Sequence, residues 1–190
     1  MVEALVAITV LMIGVIGPLT LLANAISNAN YAKNQITAFF LAQEGQELVI
    51  NARNNNRLEN PPKISADPDS STNNGLYWLG GNGLRQCIPG CSFNLYYGEA
   101  SKADQASEDK FVGCTDDICP DLIINSDGYF GYASDPYNPE SGTKTIFNRT
   151  IKIEPFNEGG LVNSAKVTVT VTWHEKALTR QVVLESIIYR

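Results

Sequence analysis

Apolar and polar positions along the chain fall into three regimes. From Ala4 to Ala25 the residues are apolar almost throughout, interrupted only by Thr9, Thr20 and Asn24. This run is 22 residues long, and about 20 suffice for a helix to cross a hydrocarbon core. From residue 26 to residue 54 the apolar positions recur at helical spacing. Ala25, Ala29, Ala32, Ile36 and Phe39 share one face, and Leu41, Gly45, Leu48 and Ala52 form a second stripe nearly opposite. No proline interrupts Asn28 to Asn54. Arg53 suits a last turn, and Asn54–Asn55–Asn56 read as the stop. A helix over 1–54 is expected, about 75 Å long at 1.5 Å per residue. Residues 1–25 form its transmembrane or bundle-core part and 26–54 its amphipathic part.

The third regime has a period of two. Thr145 to Phe156 alternates Ile and Phe with polar residues, "KVTVTVTW" (Lys166 to Trp173) is strict alternation, and Val182 to Tyr189 returns after "HEKALT". An antiparallel hairpin follows, with the Val side of "VTVTVTW" on the helix and the Thr side outward. Between these regimes lie a polar, proline-containing loop after Asn56, short apolar segments at Leu76–Leu79 and Phe93–Tyr97, and a second loop over Pro136–Gly142. The whole predicts an α+β fold. A long N-terminal helix, hydrophobic in its first half, packs on the antiparallel sheet of a β-rich head at 55–190.

Two irregularities mark the apolar run. Gly14, Gly17 and Pro18 sit near its middle, and proline removes a backbone donor and crowds the preceding turn, so a kink or unwound turn is expected there. Glu3 places a carboxylate at the tip. Either it is an acid of the first helical turn in the headgroup layer, favoured by the helix dipole, or it is a costly charge that awaits a partner cation. A secretory signal does not fit, because there is no positive stretch ahead of the run and no small-residue cleavage site. A soluble core helix fits poorly with an apolar run of this length.

Composition narrows the chemistry. The net charge is −6 with no basic stripe, which gives no support for a nucleic-acid partner. Cys87-x3-Cys91 and Cys114-x4-Cys119 beside a membrane-type segment suit an oxidising compartment and two disulfides, in any of three connectivities. A four-thiolate zinc site is the competing reading, though zinc pairs usually enclose two residues. Asp116, Asp117, Asp121 and Asp127 could offer oxygens to calcium, but they do not follow the spacing of an EF-hand loop, and a solvated acidic loop is the simpler reading. Asn148-Arg149-Thr150 matches a glycosylation acceptor inside an expected strand. His174 is the only histidine and sits beside a turn. With no nucleophile motif, phosphate loop or second histidine, neither a cofactor nor a metal is expected, and nothing suggests an enzyme.

"VEALVAITVL" (Val2 to Leu11), continuing into "AFFLAQEGQELVINARNNN" (Ala38 to Asn56), resembles the N-terminal helix of type IV pilins and pseudopilins. "GTKTIFNRTIKIE" and the last strand pair resemble, more loosely, the closing strands of minor-pilin heads. The resemblance implies a structural subunit that assembles by bundling N-terminal helices into an extracellular, cell-surface filament, with an unassembled pool in the cytoplasmic membrane. Its partners would be copies of itself, other pilins, the inner-membrane assembly machinery and the prepilin peptidase. Glu3 matches the family glutamate that pairs with a neighbour's terminal amine, and the family pattern puts two residues ahead of Met1, with a basic leader already removed. Ala25, Ala29, Ala32 and Ile36 would line subunit contacts. Pro18 stands two residues before the helix-breaking proline of many bacterial pilins. The rivals are a single-pass anchored binding module that stays monomeric and a zinc-dependent enzyme domain on a membrane tether.

Overall fold

A computed structural model describes residues 2–59, 76–79, 84–93, 111–114, 119–125, 128–132, 142–158, 161–175 and 178–190. A single helix, α1, spans Val2–Glu59. It passes the expected stop at Asn54–Asn56 and is described as far as Glu59. Of the kink or unwound turn expected at Gly14, Gly17 and Pro18, the unwound turn is not seen in the single chain: the helix is continuous through all three. Pro18 cannot donate to the Gly14 carbonyl, but open space surrounds both glycines, and the Thr20 hydroxyl donates to the Gly17 carbonyl at 2.8 Å. One missing bond leaves the rest of the helical ladder intact.

By compactness the chain divides at Thr37/Ala38 rather than at the end of the helix, so that residues 38–59 belong with the head. Among the described residues the head contains 3-10 turns at Leu76–Leu79 and Leu84–Cys87 and seven strands. These are β1 (Cys91–Phe93), β2 (Phe111–Gly113), β3 (Asp121–Asn125), β4 (Phe130–Tyr132), β5 (Gly142–Glu158), β6 (Leu161–Glu175) and β7 (Leu178–Tyr189). All pair antiparallel. β5 is the spine: one edge carries β6 along most of its length, while the other is shared by β3 and, at Ile151, β1. β6 then pairs with β7 from Ser164↔Tyr189 to Glu175↔Leu178. Leu76–Leu79, an apolar segment in the sequence, is a turn, and only Phe93 of the Phe93–Tyr97 segment lies among the described residues. Most of the two expected loops lies outside them.

The inner face of the sheet is written in the odd positions of β5 and β6. Phe147, Ile151 and Ile153 face inward beside Trp173, Val169 and Val167, and all are buried. The intervening Thr168, Thr170 and Thr172 stay partly exposed, as a strand with one buried face requires. On the helix side Ala38, Leu41, Ala42, Gly45 and Val49 are buried, whereas Leu48 and Ala52 are only half-buried. The buried stripe is thus turned from the expected one toward Ala42 and Val49, by about half a residue's rotation. At its centre Gly45 sets the distance of closest approach. A Cβ there would lie 3.0 Å from Val169 Cγ1, 3.4 Å from Arg149 Cδ and 3.6 Å from Ile151 Cδ1.

The four cysteines form two local disulfides, Cys87–Cys91 and Cys114–Cys119, and are therefore not available as thiolates for zinc. Both bonds lie in one corner of the head. The Cys114 amide donates to the Gly90 carbonyl at 2.9 Å, the Gly113 amide donates to Gln86 Oε1 at 3.1 Å, and Cys91 faces Gly113 across the β1–β2 ladder.

Two outcomes follow for the stability of the head. Gly45→Leu should lower it by about 2 kcal/mol or more, because a leucine overfills the contact with Val169, Arg149 and Ile151. Closing loops of 4 and 5 residues removes little denatured-state freedom, so replacing either cysteine pair by serines should cost only about 2 kcal/mol. Chemical denaturation of the full chain checks both.

Candidate functional site

Two features of the chain call for a chemical explanation: the exposed apolar helix and a charge inside the head. Val2 to Thr37 form the first unit. Its helix is long and apolar enough to cross a membrane, and its apolar window is unburied in the single chain. Glu3 stands exposed in the first turn, where the unsatisfied amides of the helix start favour a carboxylate. The few hydroxyls of the run turn back on their own helix: Thr9 donates to the Val6 carbonyl at 2.8 Å, as Thr20 does to Gly17. This leaves Glu3 as the one charged side chain from Val2 to Ala25. Ala25, Ala29 and Ala32 are exposed, and Ile36 is 57 % exposed. Together with Glu3 they form the candidate assembly surface, a small-residue stripe that ends on an isoleucine.

The internal charge is Arg149. It occupies an inward position of β5, between Phe147 and Ile151, and is fully buried. Its Nη1 donates to Glu44 Oε2 at 2.7 Å and to the Leu41 carbonyl of α1 at 3.3 Å, and Nη2 donates to the Phe93 carbonyl of β1 at 3.4 Å. The Tyr132 hydroxyl donates to the Arg149 carbonyl at 3.2 Å. Nε has no partner among the described residues. One guanidinium therefore joins the helix, β1 and β5, while the Tyr132 bond ties β4 to the same point.

Burial works against the Arg149 charge, but Tyr132 and Glu44 more than offset it and hold its pKa above the ordinary value. Burial raises the Tyr132 phenol, and the nearby Arg149 charge only partly opposes that rise. This arrangement is structural rather than catalytic: Glu44 keeps about a third of its side chain in water (32 %), whereas Arg149 has no exposed surface with which to meet a ligand. Sequence reading missed it, although the signal was there. The alternation Phe147-x-Arg149-x-Ile151-x-Ile153 puts an arginine in the apolar phase.

The remaining candidates fall as follows. Asn148 Nδ2 donates to the Cys119 carbonyl and to Asp121 Oδ1, so the glycosylation tripeptide lies in a paired strand with its amide engaged. Asp121 is exposed at the start of β3, while Asp116, Asp117 and Asp127 lie outside the described residues. His174 is exposed, with Nδ1 3.1 Å from Thr179 Oγ1. Among the described residues no three His, Cys, Asp or Glu side chains gather as a metal site.

No protein-family model, curated protein or solved structure matches this chain.

The Arg149 network makes two predictions. Glu44→Ala strands a buried guanidinium and should cost about 3 kcal/mol, the low end for a broken buried pair because Glu44 is partly hydrated. The double variant Glu44→Leu/Arg149→Met should recover most of that loss. The raised pKa of Tyr132 means that its neutral form is favoured by folding. This contribution is complete below the ordinary tyrosine value of about 10 and is lost as pH climbs above it. Urea titrations at increasing alkaline pH should show the decline, and Tyr132→Phe should flatten it.

Proposed function

We propose that the chain is a structural subunit of a type IV pilus-like filament at the cell surface. N-terminal helices bundle in the fibre core and the heads tile its outside. The unassembled chain waits in the cytoplasmic membrane. The observation that carries this reading is an exposed apolar helix bearing a single acid at its tip and continuous with the helix of a folded head. A lipid bilayer would cover the apolar surface, and its headgroups could meet Glu3 without fixing any axial position. A neighbouring helix would cover the same surface while its terminal ammonium met Glu3 at only one axial register, so the charge pair would select the stagger between subunits.

The alanines at 25, 29 and 32 allow neighbouring helices to approach closely, which is how helices associate where the hydrophobic effect supplies no drive. No enzyme chemistry is part of the proposal. The partners are other copies of the chain, related pilins, the membrane assembly machinery and the peptidase that matures such subunits. The fully helical Gly14–Pro18 segment is the state proposed for the membrane pool. Pro18 has already removed one hydrogen bond, so this is the segment where bundling would unwind the helix at least cost.

Glu3→Ala should leave membrane insertion intact and reduce filament yield sharply, scored by electron microscopy of sheared surface fractions. Ile36→Asp or Ala29→Arg should leave the circular dichroism and melting of the chain unchanged and abolish fibres. Assembly of all three variants at the wild-type level would favour instead a monomer anchored in the membrane.

A further inference from the structure

Besides the stripe that meets the sheet, α1 carries a second repeat. Ile26, Ala29, Lys33 and Ile36 follow one another at spacings of three, four and three residues, and all are exposed in the first unit. Phe40, Gln43, Glu47 and Ile50 continue the same alternation in the head. These are the a and d positions of a heptad, the pattern by which one helix packs along another. In the head this face is not the one buried on the sheet: Phe40 is 63 % and Ile50 36 % exposed, and Glu47 between them is exposed. Among the described residues neither Lys33 nor Glu47 has an ion pair.

Lipid does not account for the exposed phenylalanine. Phe40 lies 15 residues beyond Ala25, about 22 Å along a helix, whereas the headgroup layer on each side of a bilayer is about 6 Å deep. A bilayer that covers residues 4–25 stops well short of it. The cover that fits a heptad seam is another helix.

The two charges say which helix, and at what height. Lys33 and Glu47 both occupy a positions, two heptads apart. Two copies of α1 side by side in register would set Lys33 against Lys33 and Glu47 against Glu47. A displacement of one heptad would set both charges against Phe40. A displacement of two heptads matches every level: Ile26 with Phe40, Ala29 with Gln43, Lys33 with Glu47 and Ile36 with Ile50. An antiparallel pair would also join Lys33 to Glu47, but copies anchored in one membrane run parallel. We propose that α1 packs along α1 of a second copy, parallel and displaced by two heptads, with Lys33 of one chain beside Glu47 of the next. The displacement is about 21 Å. Polar residues at a positions weaken such a seam but fix its register. The contact joins the first unit of one copy to the head of another. It rests on the filament reading only in requiring parallel copies side by side. Glu3 calls for a neighbour whose terminus lies level with it, a shorter stagger, so the two contacts belong to different neighbours of one subunit.

The test is cross-linking of the full chain in membranes and in sheared surface fractions. Chains carrying both Ala29→Cys and Gln43→Cys should give a ladder of linked oligomers on oxidation, and either substitution alone should give none. Lys33→Glu or Glu47→Lys in the double-cysteine chain should reduce the ladder by at least about tenfold, because two acids or two cations then lie level. Both charge changes together should restore it. Unchanged circular dichroism of each variant shows that helix and head survive. The proposal is overturned by a ladder that is absent from both fractions or indifferent to charge, by failure of the double charge change to restore it, or by in-register dimers of the Ala29→Cys chain alone. A ladder in membranes without fibres would remove the filament reading and leave this contact standing, whereas fibres without a ladder would do the reverse.

Discussion

A helix can lie close against a sheet only where its side chains are short, and in this chain that place is Gly45. The missing Cβ lets Val169 and Ile151 reach the helix backbone and lets the Arg149 stem pass beside it. The guanidinium can then meet both the Leu41 carbonyl and the Glu44 carboxylate. Shape and charge fix the same alignment: translation of α1 by one turn would put a larger residue over Val169 and separate Glu44 from the arginine. An apolar core would hold the two layers together without specifying how they align, whereas a buried ion pair is costly in every arrangement but one.

The second half of α1 therefore serves as part of the head, while the first half remains a separate compact unit. Continuity of the backbone between them has a mechanical meaning. Any partner that grips residues 2–37 pulls on a segment whose other end is clamped through Arg149 to β5 and, through Phe93, to β1. β5 in turn carries β6 and β3, so the load enters the sheet at its best-supported strand rather than at an edge.

The architecture could be read from the sequence because it rests on periodicity. "VTVTVTW" puts Val167, Val169, Val171 and Trp173 on one face, and all four are buried. The helix face was read less well. The stripe Leu41, Gly45, Leu48, Ala52 counts hydrophobicity, but what the sheet accepts is small volume at close range, which favours Ala38 and Ala42. The helix runs past the expected stop because an asparagine tract weakens a helix without interrupting its hydrogen bonds. At Pro18 the cooperative ladder absorbs one lost hydrogen bond, so the unwound turn expected there is absent from the single chain. The Arg149–Glu44–Tyr132 cluster brings together residues more than 100 positions apart, and no local pattern announces which acid a buried arginine will meet. Short-range spacing could not choose among the cysteine pairings either.

The disulfides that formed are those with the shortest possible loops, which bears on how the protein matures. A thiol at Cys87 that reached Cys119 instead of Cys91 would close a loop about eight times longer, at an extra entropic cost of about 2 kcal/mol. Nearest-neighbour pairing is thus favoured while the chain is still unfolded, before β5 exists to organise the corner around it. Oxidation of this head can therefore proceed segment by segment, and the chain need not wait for its C-terminal strands to acquire its correct cross-links.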